Sequence, residues 1–494
     1  HEGDHEDVAH AVAGLAECTS LLGNHEQAEG PCREALEMRR RIYGDSVVTA
    51  TSLNNLAGVL RELGRFDEAL EASREALAMA RRVVGDDHVE FATHLNQQGM
   101  IQRRRGELED AERCLREALG IYGRTIGEEH SDYAVAVNNL ALAVEDRGDL
   151  EEAARLYEQA VEIGRRTLGT GHPEVIVYRL NLTFLCLSRD DVNGALHWSR
   201  EALEAAEAHL PEHDPRTAWT RSVRAEVLLF AGNARAAEPL ARRAVVELEA
   251  TRGADHRETL HAKLILAEAV LNLNALEAVP MLAAIRARLH ARAGPVAADT
   301  MRATSLLAMA QRSTGDAEGS CRTLEAALAD IEASDTDEPW GVLCASSLLQ
   351  LRLMDGDTAG AAELARALVD GRYGGAGRDD PEAHAWLAMV GMALLEAGDH
   401  AGAEPVLLEC LAMRRKQLPE GDWLTCNAMS LLGGSLAGQG KYAEAEPLLI
   451  EGYEKMEPPP PLAFRKPEAL ARVVELYEAW EKPEEAAKWR ALQK

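Results

Sequence analysis

A turn residue that recurs every 41 or 42 positions constrains the fold of this chain more than any other feature. Glycine dominates the series, with Asp and Asn among its substitutes, as expected where a helix ends in a left-handed residue and the chain reverses. The twelve positions are Gly23, Gly64, Gly106, Gly148, Asp190, Gly232, Asn274, Gly315, Gly356, Gly398, Gly440 and Glu481. A fixed period of this length is typical of repeat proteins, so the spacing predicts twelve helical hairpins.

Small and large residues alternate at fixed distances from each turn. Five residues after the turn, ten of the twelve positions are Ala, and Val279 and Ser320 are the two exceptions. Eight residues before the turn a large apolar residue recurs, for example Leu56, and seven before it a small one, for example Gly99. This alternation indicates two helices that pack closely within each hairpin. One hairpin cannot bury its apolar face alone, so neighbouring hairpins must stack.

Composition agrees with a helical array and limits its partners. Aromatic residues make up only 4% of the chain, while Ala, Leu, Glu and Arg are abundant, which favours helices. The net charge of −29 disfavours nucleic acid and anionic membranes as partners. No segment approaches the roughly 20 consecutive apolar residues of a membrane span. The eight cysteines form no C-x-x-C pair, which favours a reduced, cytoplasmic setting.

These recurring positions, which we call columns, resemble the tetratricopeptide repeat, in which a Leu-Gly or Leu-Ala pair precedes the turn glycine and Ala follows it. The usual unit has about 34 residues, and the additional residues here follow the second helix of each hairpin. With these connectors and the Asn-Asn-Leu-Ala segments, the chain resembles the kinesin-light-chain type of repeat. The segments that carry this resemblance are 53–57, 84–88, 126–130, 137–141 and 168–173. The resemblance implies an all-α solenoid, a superhelix of about twelve hairpins with a period of ~42 residues.

The C-terminal segments 431–434, 441–449 and 482–490 resemble the tail of bacterial proteins in which a serine/threonine kinase domain precedes such repeats. The sequence contains no Gly-rich loop with a following Val-Ala-x-Lys strand, no His-Arg-Asp and no Asp-Phe-Gly. The kinase resemblance therefore concerns the origin of the chain. Because residues 3–9 match the end of a connector, we expect the chain to begin within the array.

The repeat pattern divides the chain into three regions. Residues 1–273 form a regular array, 274–380 contain degenerate repeats and a Gly-rich connector, and 381–494 contain regular repeats with a capping hairpin. The stretch 371–381 is rich in turn residues and predicts a bend or a mobile connector, and the prolines 458–461 predict a second, stiff link. An unbroken superhelix with longer loops is the alternative.

Carboxamide residues recur inside the first helix of several hairpins, although Asn is unfavourable in a helix interior. In the kinesin-light-chain type, residues at these positions line a concave groove and hold an extended peptide. A carboxamide can donate and accept hydrogen bonds at once, and nearby arginines could pair with an acidic ligand. The predicted groove residues are Asn54, Asn55, Arg61, Asn96, Gln97, Arg103, Arg104, Asn138, Asn139 and Asn181. The alternative for the Asn columns is a structural ladder that joins neighbouring repeats.

No catalytic or metal-binding constellation emerges from the sequence. The connector histidines recur at the repeat period, which favours a capping role over a metal site; they are His88, His130, His172, His213 and His256. We therefore expect no enzyme activity and no cofactor. The sequence predicts a scaffold that binds a protein or peptide in the groove of repeats two to five. A regulatory region of a larger signalling enzyme and a self-assembly module are the alternatives.

Overall fold

The computed structural model describes residues 5–21, 23–334, 340–369, 383–459 and 462–493. Every regular element in these residues is helical, and the helices follow one another as twelve hairpins. The predicted all-α array is confirmed. We call the first helix of each hairpin the A helix and the second the B helix, and we number the hairpins as repeats 1 to 12.

The helices of repeats 1 to 6 are α1 (Glu6–Leu21), α2 (His25–Tyr43), α3 (Val47–Glu62), α4 (Phe66–Val83), α5 (Val89–Arg105), α6 (Leu108–Thr125), α7 (Ser131–Asp146), α8 (Leu150–Thr167), α9 (Pro173–Ser188), α10 (Val192–His209), α11 (Pro215–Phe230) and α12 (Ala234–Arg252). Those of repeats 7 to 12 are α13 (Arg257–Leu273), α14 (Ala275–Ala293), α15 (Ala298–Ser313), α16 (Ala317–Ala333), α17 (Trp340–Met354), α18 (Thr358–Val369), α19 (Ala383–Glu396), α20 (His400–Gln417), α21 (Trp423–Gly438), α22 (Tyr442–Glu454), α23 (Arg465–Ala479) and α24 (Pro483–Arg490).

The chain divides into two compact units, His1–Leu266 and Ala267–Lys494. The predicted regions 1–273, 274–380 and 381–494 remain a prediction. The proposed connector at 371–381 lies outside the described residues, as do two of the four prolines at 458–461. None of the helices in the described part of the chain is long and apolar enough to span a membrane.

Eleven of the twelve predicted turn residues have a positive φ, including the non-glycine residues Asp190 and Glu481. Asn274 is the exception, with φ −154°, because it directly precedes α14 and the turn is one residue shorter there. The shorter turn shifts the small-residue column by one position. Ala278 is fully buried in this repeat, whereas Val279, which the sequence placed in the column, is only partly buried.

Close contact between the A and B helices explains the small residues. The Ala residues five positions after the turn are at most 2% exposed in every repeat that has one there. Ser320 replaces Ala without leaving a polar group unpaired, because its hydroxyl donates to the carbonyl of Ala308 at 2.8 Å. A Cβ on Gly99 would lie 2.7 Å from Cγ of Leu115. The predicted small column of the A helix therefore packs against a large residue of the B helix within the hairpin.

Histidines of the connectors cap the A helices that follow them. In His88, His130 and His172, Nδ1 accepts a hydrogen bond from the backbone N–H two residues later, at 3.2–3.3 Å. Such a contact satisfies one of the unpaired donors at a helix N-terminus. His213 departs from the prediction: it has φ 64°, and Asp214 caps α11 instead.

Candidate peptide-binding face

The ten predicted groove residues lie on the A helices α3, α5, α7 and α9. We call the surface formed by these helices and α11 the A-helix face. Successive A helices contact each other directly along the first unit, from α3 to α11. Side chains at equivalent positions of neighbouring A helices can therefore meet across the repeat boundary.

Asparagines of neighbouring repeats are hydrogen-bonded in pairs. Nδ2 of Asn139 donates to Oδ1 of Asn96 at 3.2 Å, and Nδ2 of Asn181 donates to Oδ1 of Asn138 at 2.8 Å. In both pairs the residue nine positions before a turn donates to the residue ten positions before the preceding turn. We call these two pairs the Asn ladder. Asn138 is only 5% exposed, so its carbonyl depends on the bond from Asn181.

The ladder does not continue into repeat 2. Oε1 of Gln97, at the donor position of repeat 3, instead accepts a hydrogen bond from Arg61 at 3.0 Å. Oδ1 of Asn54 is buried and has no hydrogen-bond partner among the described residues. Asn55 is exposed, and the acceptor position of the preceding repeat holds Ala13, whose side chain cannot accept a bond. This end of the face therefore keeps carboxamide groups that the chain does not pair with one another.

Three predicted arginines lie near these carboxamides, each in a different environment. Arg61 pairs with Glu62 at 2.7 Å, and Arg103 pairs with Asp146 at 3.3 Å, while Arg104 is exposed. Burial lowers the pKa of the Arg103 guanidinium, and the charge of Asp146 offsets part of that effect. Burial alone would raise the pKa of Glu62, but the attraction of Arg61 and Arg104 outweighs it and lowers that pKa. This part of the face is polar and nearly charge-balanced.

An apolar cleft between α9 and α11 was not predicted from the sequence. It has a volume of about 130 Å³, and its lining includes Val177, Phe184 and Trp219. We call it the α9/α11 cleft. Asn181, the last donor of the Asn ladder, also lines it, so the cleft adjoins the ladder directly. The sequence contained a partial sign of it: thirteen residues before the turn, Thr51 and Thr93 are replaced by the apolar residues Val135, Val177 and Trp219 in repeats 4 to 6.

The described residues contain no group of three His, Cys, Asp or Glu side chains placed to hold a metal ion. The polar groups of the A-helix face include carboxamides, guanidinium groups and the carboxylates of Glu62 and Asp146, which form hydrogen bonds and ion pairs.

Comparison with known families identifies the repeat. Three family models described as tetratricopeptide repeat match the chain, and their matches together cover more than half of it. The matched residues are 48–124, 90–166 and 132–208 for the first model, 8–46 and 385–419 for the second, and 218–243 and 301–326 for the third. The chain therefore belongs to the tetratricopeptide-repeat proteins.

Several solved structures are similar to parts of the chain. The crystal structure of BtubC (BKLC) from P. vanneervenii has a TM-score of 0.41 and 24% identity, and the match covers 46% of this chain and 92% of that chain. A putative kinesin light chain with nearly identical TPR-like repeats, from Podosopora anserina, has a TM-score of 0.37 and 20% identity over 42% and 98% of the two chains. The apo form of the quorum sensor NprR from B. thuringiensis has a TM-score of 0.49 and 13% identity over 65% and 86%. No curated protein matches the sequence.

Proposed function

We propose that this chain is a protein-interaction scaffold that binds an extended peptide along the A-helix face of repeats 2 to 5. Tetratricopeptide repeats commonly bind protein partners, and the carboxamides of this face offer both donors and acceptors to a peptide backbone. A ligand held in this way is recognised mainly through its backbone, so the carboxamides contribute affinity and leave side-chain preference to neighbouring groups.

The observation that carries the proposal is the unpaired end of the Asn ladder. Asn139 and Asn181 use an amide hydrogen to join repeats, whereas Asn55 is exposed beside a repeat that offers it no side-chain acceptor. Asn is unfavourable in a helix interior, so the fold alone gives no reason for an exposed Asn at this position. A peptide backbone placed across α3 and α5 would supply the missing partners.

The test is peptide binding by variants of the open carboxamides. Peptides selected from a displayed random library on the intact chain should bind the double variant Asn54→Ala/Asn55→Ala about tenfold more weakly, the effect of losing one or two hydrogen bonds. Asn193→Ala is the matched control, because Asn193 is an exposed helical Asn on α10, a B helix. Equal affinity of the double variant and the control would contradict the proposal.

Comparing Asn138→Ala with Asn55→Ala distinguishes a structural asparagine from a ligand-binding one. Because Asn138 is buried and bonded to Asn181, Asn138→Ala should lower the thermal unfolding midpoint. We expect it to change peptide affinity much less than Asn55→Ala does. A loss of affinity in Asn138→Ala without any loss of stability would reverse these two assignments.

Self-association is a second candidate, favoured by one exposed residue. Leu15 on α1 is 60% exposed, whereas the equivalent Leu56 and Leu140 are 6% and 3% exposed because another repeat covers them. A second copy of the chain could cover Leu15 in the same way. Light scattering over a concentration series tests this, and Leu15→Asp should abolish any concentration-dependent increase in mass. A constant monomer mass in the parent chain excludes this candidate.

For the setting, we propose a reduced, cytoplasmic compartment and a role in bacterial signalling. All eight cysteines are free, and six of them are buried. Burial raises the pKa of the thiols of Cys114, Cys186 and Cys344 to about 11, which keeps them protonated and unreactive. An identical intact mass with and without reductant, in protein purified from its natural cells, is the expected result. A disulfide-linked species would contradict the reduced setting.

A further inference from the structure

The α9/α11 cleft combines features of a side-chain pocket. Its floor contains Ile176 and Leu180, which are almost fully buried, and its walls contain Val177, Phe184 and Trp219. Val177 is 42% exposed and Phe184 is 37% exposed, in a chain with only five phenylalanines. Contiguous apolar surface of this kind, rimmed by polar groups, marks interaction sites on soluble proteins.

The charged groups near the rim of the cleft are paired. Arg216 lines the cleft but bonds the carboxylate of Asp214 through Nε at 2.9 Å and Nη2 at 2.6 Å. Beyond Trp219, His261 lies 3.2 Å from a carboxylate oxygen of Glu226. A charged ligand side chain would lose water in the cleft and gain no opposite charge in return. The cleft therefore favours an uncharged occupant.

The volume of the cleft limits the size of that occupant. A cavity of about 150 Å³ lined by apolar residues can hold one benzene ring, and the cleft has about 130 Å³. One aromatic ring or one branched aliphatic side chain fits this space. A whole helix does not, since a helix with its side chains is about 10 Å across.

The Asn ladder connects the carboxamide positions of the A helices with the cleft. Asn181 belongs both to the ladder and to the rim of the cleft. A peptide backbone that binds the open carboxamides of α3 and continues over α5 and α7 therefore reaches the cleft without leaving the A-helix face. In an extended peptide successive side chains point to opposite sides, so a residue facing the protein can enter the cleft while its neighbours face solvent.

We propose that the α9/α11 cleft is the specificity pocket of the A-helix face and takes one uncharged, aliphatic or aromatic side chain of the bound extended peptide. This inference rests on the proposed peptide-binding function. It adds a chemical class of ligand residue and a place for that residue, in repeats 5 and 6, beyond the carboxamides of repeats 2 to 5.

The experiment uses the intact chain and a displayed library of random peptides. Selection should enrich Leu, Ile, Met, Phe or Trp at one fixed position of the bound peptides. Replacing that residue by Ala should weaken binding about tenfold, the factor expected for a well-buried apolar side chain. The variant Val177→Asp places a carboxylate at the cleft and should remove this difference between the selected peptide and its Ala form.

A control variant and a second cleft variant test whether the effect is specific to the cleft. Val246→Asp introduces the same charge at a more exposed valine on α12, a B helix, and should bind both peptides as the parent does. Phe184→Gln is a second cleft variant, and circular dichroism melting of all variants checks that they fold. If the Ala substitution in the peptide weakens binding equally in the parent and in both cleft variants, the pocket assignment is wrong.

The possible outcomes distinguish the pocket assignment from the proposed peptide-binding function. If peptides bind through the carboxamides but show no apolar preference, the pocket is overturned and the scaffold function stands. If no peptide binds at all, both are overturned. If the cleft variants instead abolish a dimer seen by light scattering, the occupant is a second copy of the chain and the peptide pocket is overturned.

Discussion

Repeats 2 to 5 of the first unit and repeats 10 to 12 of the second use the same helix positions in different ways. In the first unit, Asn181 donates to Asn138 in the preceding repeat. In the second, Arg472 occupies the same donor position and donates to Oγ of Ser430 at 3.1 Å. Arg465, on the same helix, reaches Sδ of Met392 two repeats away at 3.3 Å.

The difference lies in how much of the A-helix face the chain covers with its own side chains. The aliphatic part of Arg472 lies over Gly434, where a Cβ would be only 3.3 Å from Cδ of the arginine. Asn is too short to cover a neighbouring position in this way. The same donor position of the repeat can therefore hold either a long arginine that covers its neighbour or a shorter asparagine that does not, with no change of fold.

The comparison requires that the A and B helices pack in the same way in both units. Substitutions of the Ala residues five positions after the turn can test this. Ala111 and Ala403 occupy the same column, and each is 0% exposed. Replacing either with Leu should lower the free energy of unfolding of its repeat by about 3 kcal/mol, the upper end of the usual cost of overpacking. Hydrogen exchange in α5–α6 and in α19–α20 measures this locally. The exposed Ala208→Leu is the control. An effect in one unit only would show that the units differ in packing as well as in surface.

Acidification should distinguish the two units through His94. This side chain is 1% exposed, both ring nitrogens are buried without a hydrogen-bond partner among the described residues, and burial lowers its pKa from 6.5 to about 4. As the pH falls below 6.5 the unfolded chain takes up a proton before the folded chain does, so repeat 3 loses stability between pH 6.5 and 4. The expected loss at pH 5 is about 2 kcal/mol.

Repeat 11 provides the reference for this prediction, because the position equivalent to His94 holds Ala428 there. After correction for intrinsic exchange rates, amide exchange between pH 7 and pH 5 should accelerate in α5 far more than in α21. The variant His94→Ala should remove the difference. Equal acceleration in both helices, or an unchanged effect in the variant, would rule out His94 as the source.

Removing the equivalent donors Asn181 and Arg472 should have unequal effects. Asn181→Ala leaves the nearly buried carbonyl of Asn138 without its donor, which should cost about 1.5 kcal/mol. Arg472→Ala should cost only about 0.5 kcal/mol, because the hydroxyl of Ser430 can turn to a carbonyl of its own helix. Thermal unfolding of each variant measures the two values. Equal losses would mean that the arginine contributes as much to the second unit as the ladder does to the first.

The turns and small columns could be predicted from the sequence because their causes are local. A left-handed residue ends the A helix in eleven of the twelve hairpins, including those that turn at Asp190 and Glu481. Ala111 is needed because two helices of one hairpin approach closely. The prediction of a left-handed turn residue was wrong at Asn274. Asn is favourable both in a left-handed turn and as the residue before a helix, and Asn274 is the residue before α14.

The carboxamide pairs and the α9/α11 cleft depend on the rotation between repeats, which cannot be inferred from one sequence. The Asn columns were visible, but the pairing of Asn139 with Asn96 required the relative placement of α5 and α7. The α9/α11 cleft combines residues 35 positions apart, Phe184 and Trp219, that belong to different columns of the repeat. In the sequence, Phe184 and Trp219 each look like an ordinary apolar substitution on a helix.

Helix caps give the smallest and most local contrast between the units. The A helix α9 begins with His172 as its cap, whereas α21 begins with Asp422, which accepts from the N–H of Leu424 at 2.8 Å. His172→Ala should lower stability by about 1 kcal/mol, the usual cost of a lost cap. His213→Ala is the control, because Asp214 caps the helix there and the exposed imidazole contributes little. A loss of stability in His213→Ala as large as that in His172→Ala would mean that the imidazole cap does not stabilise α9.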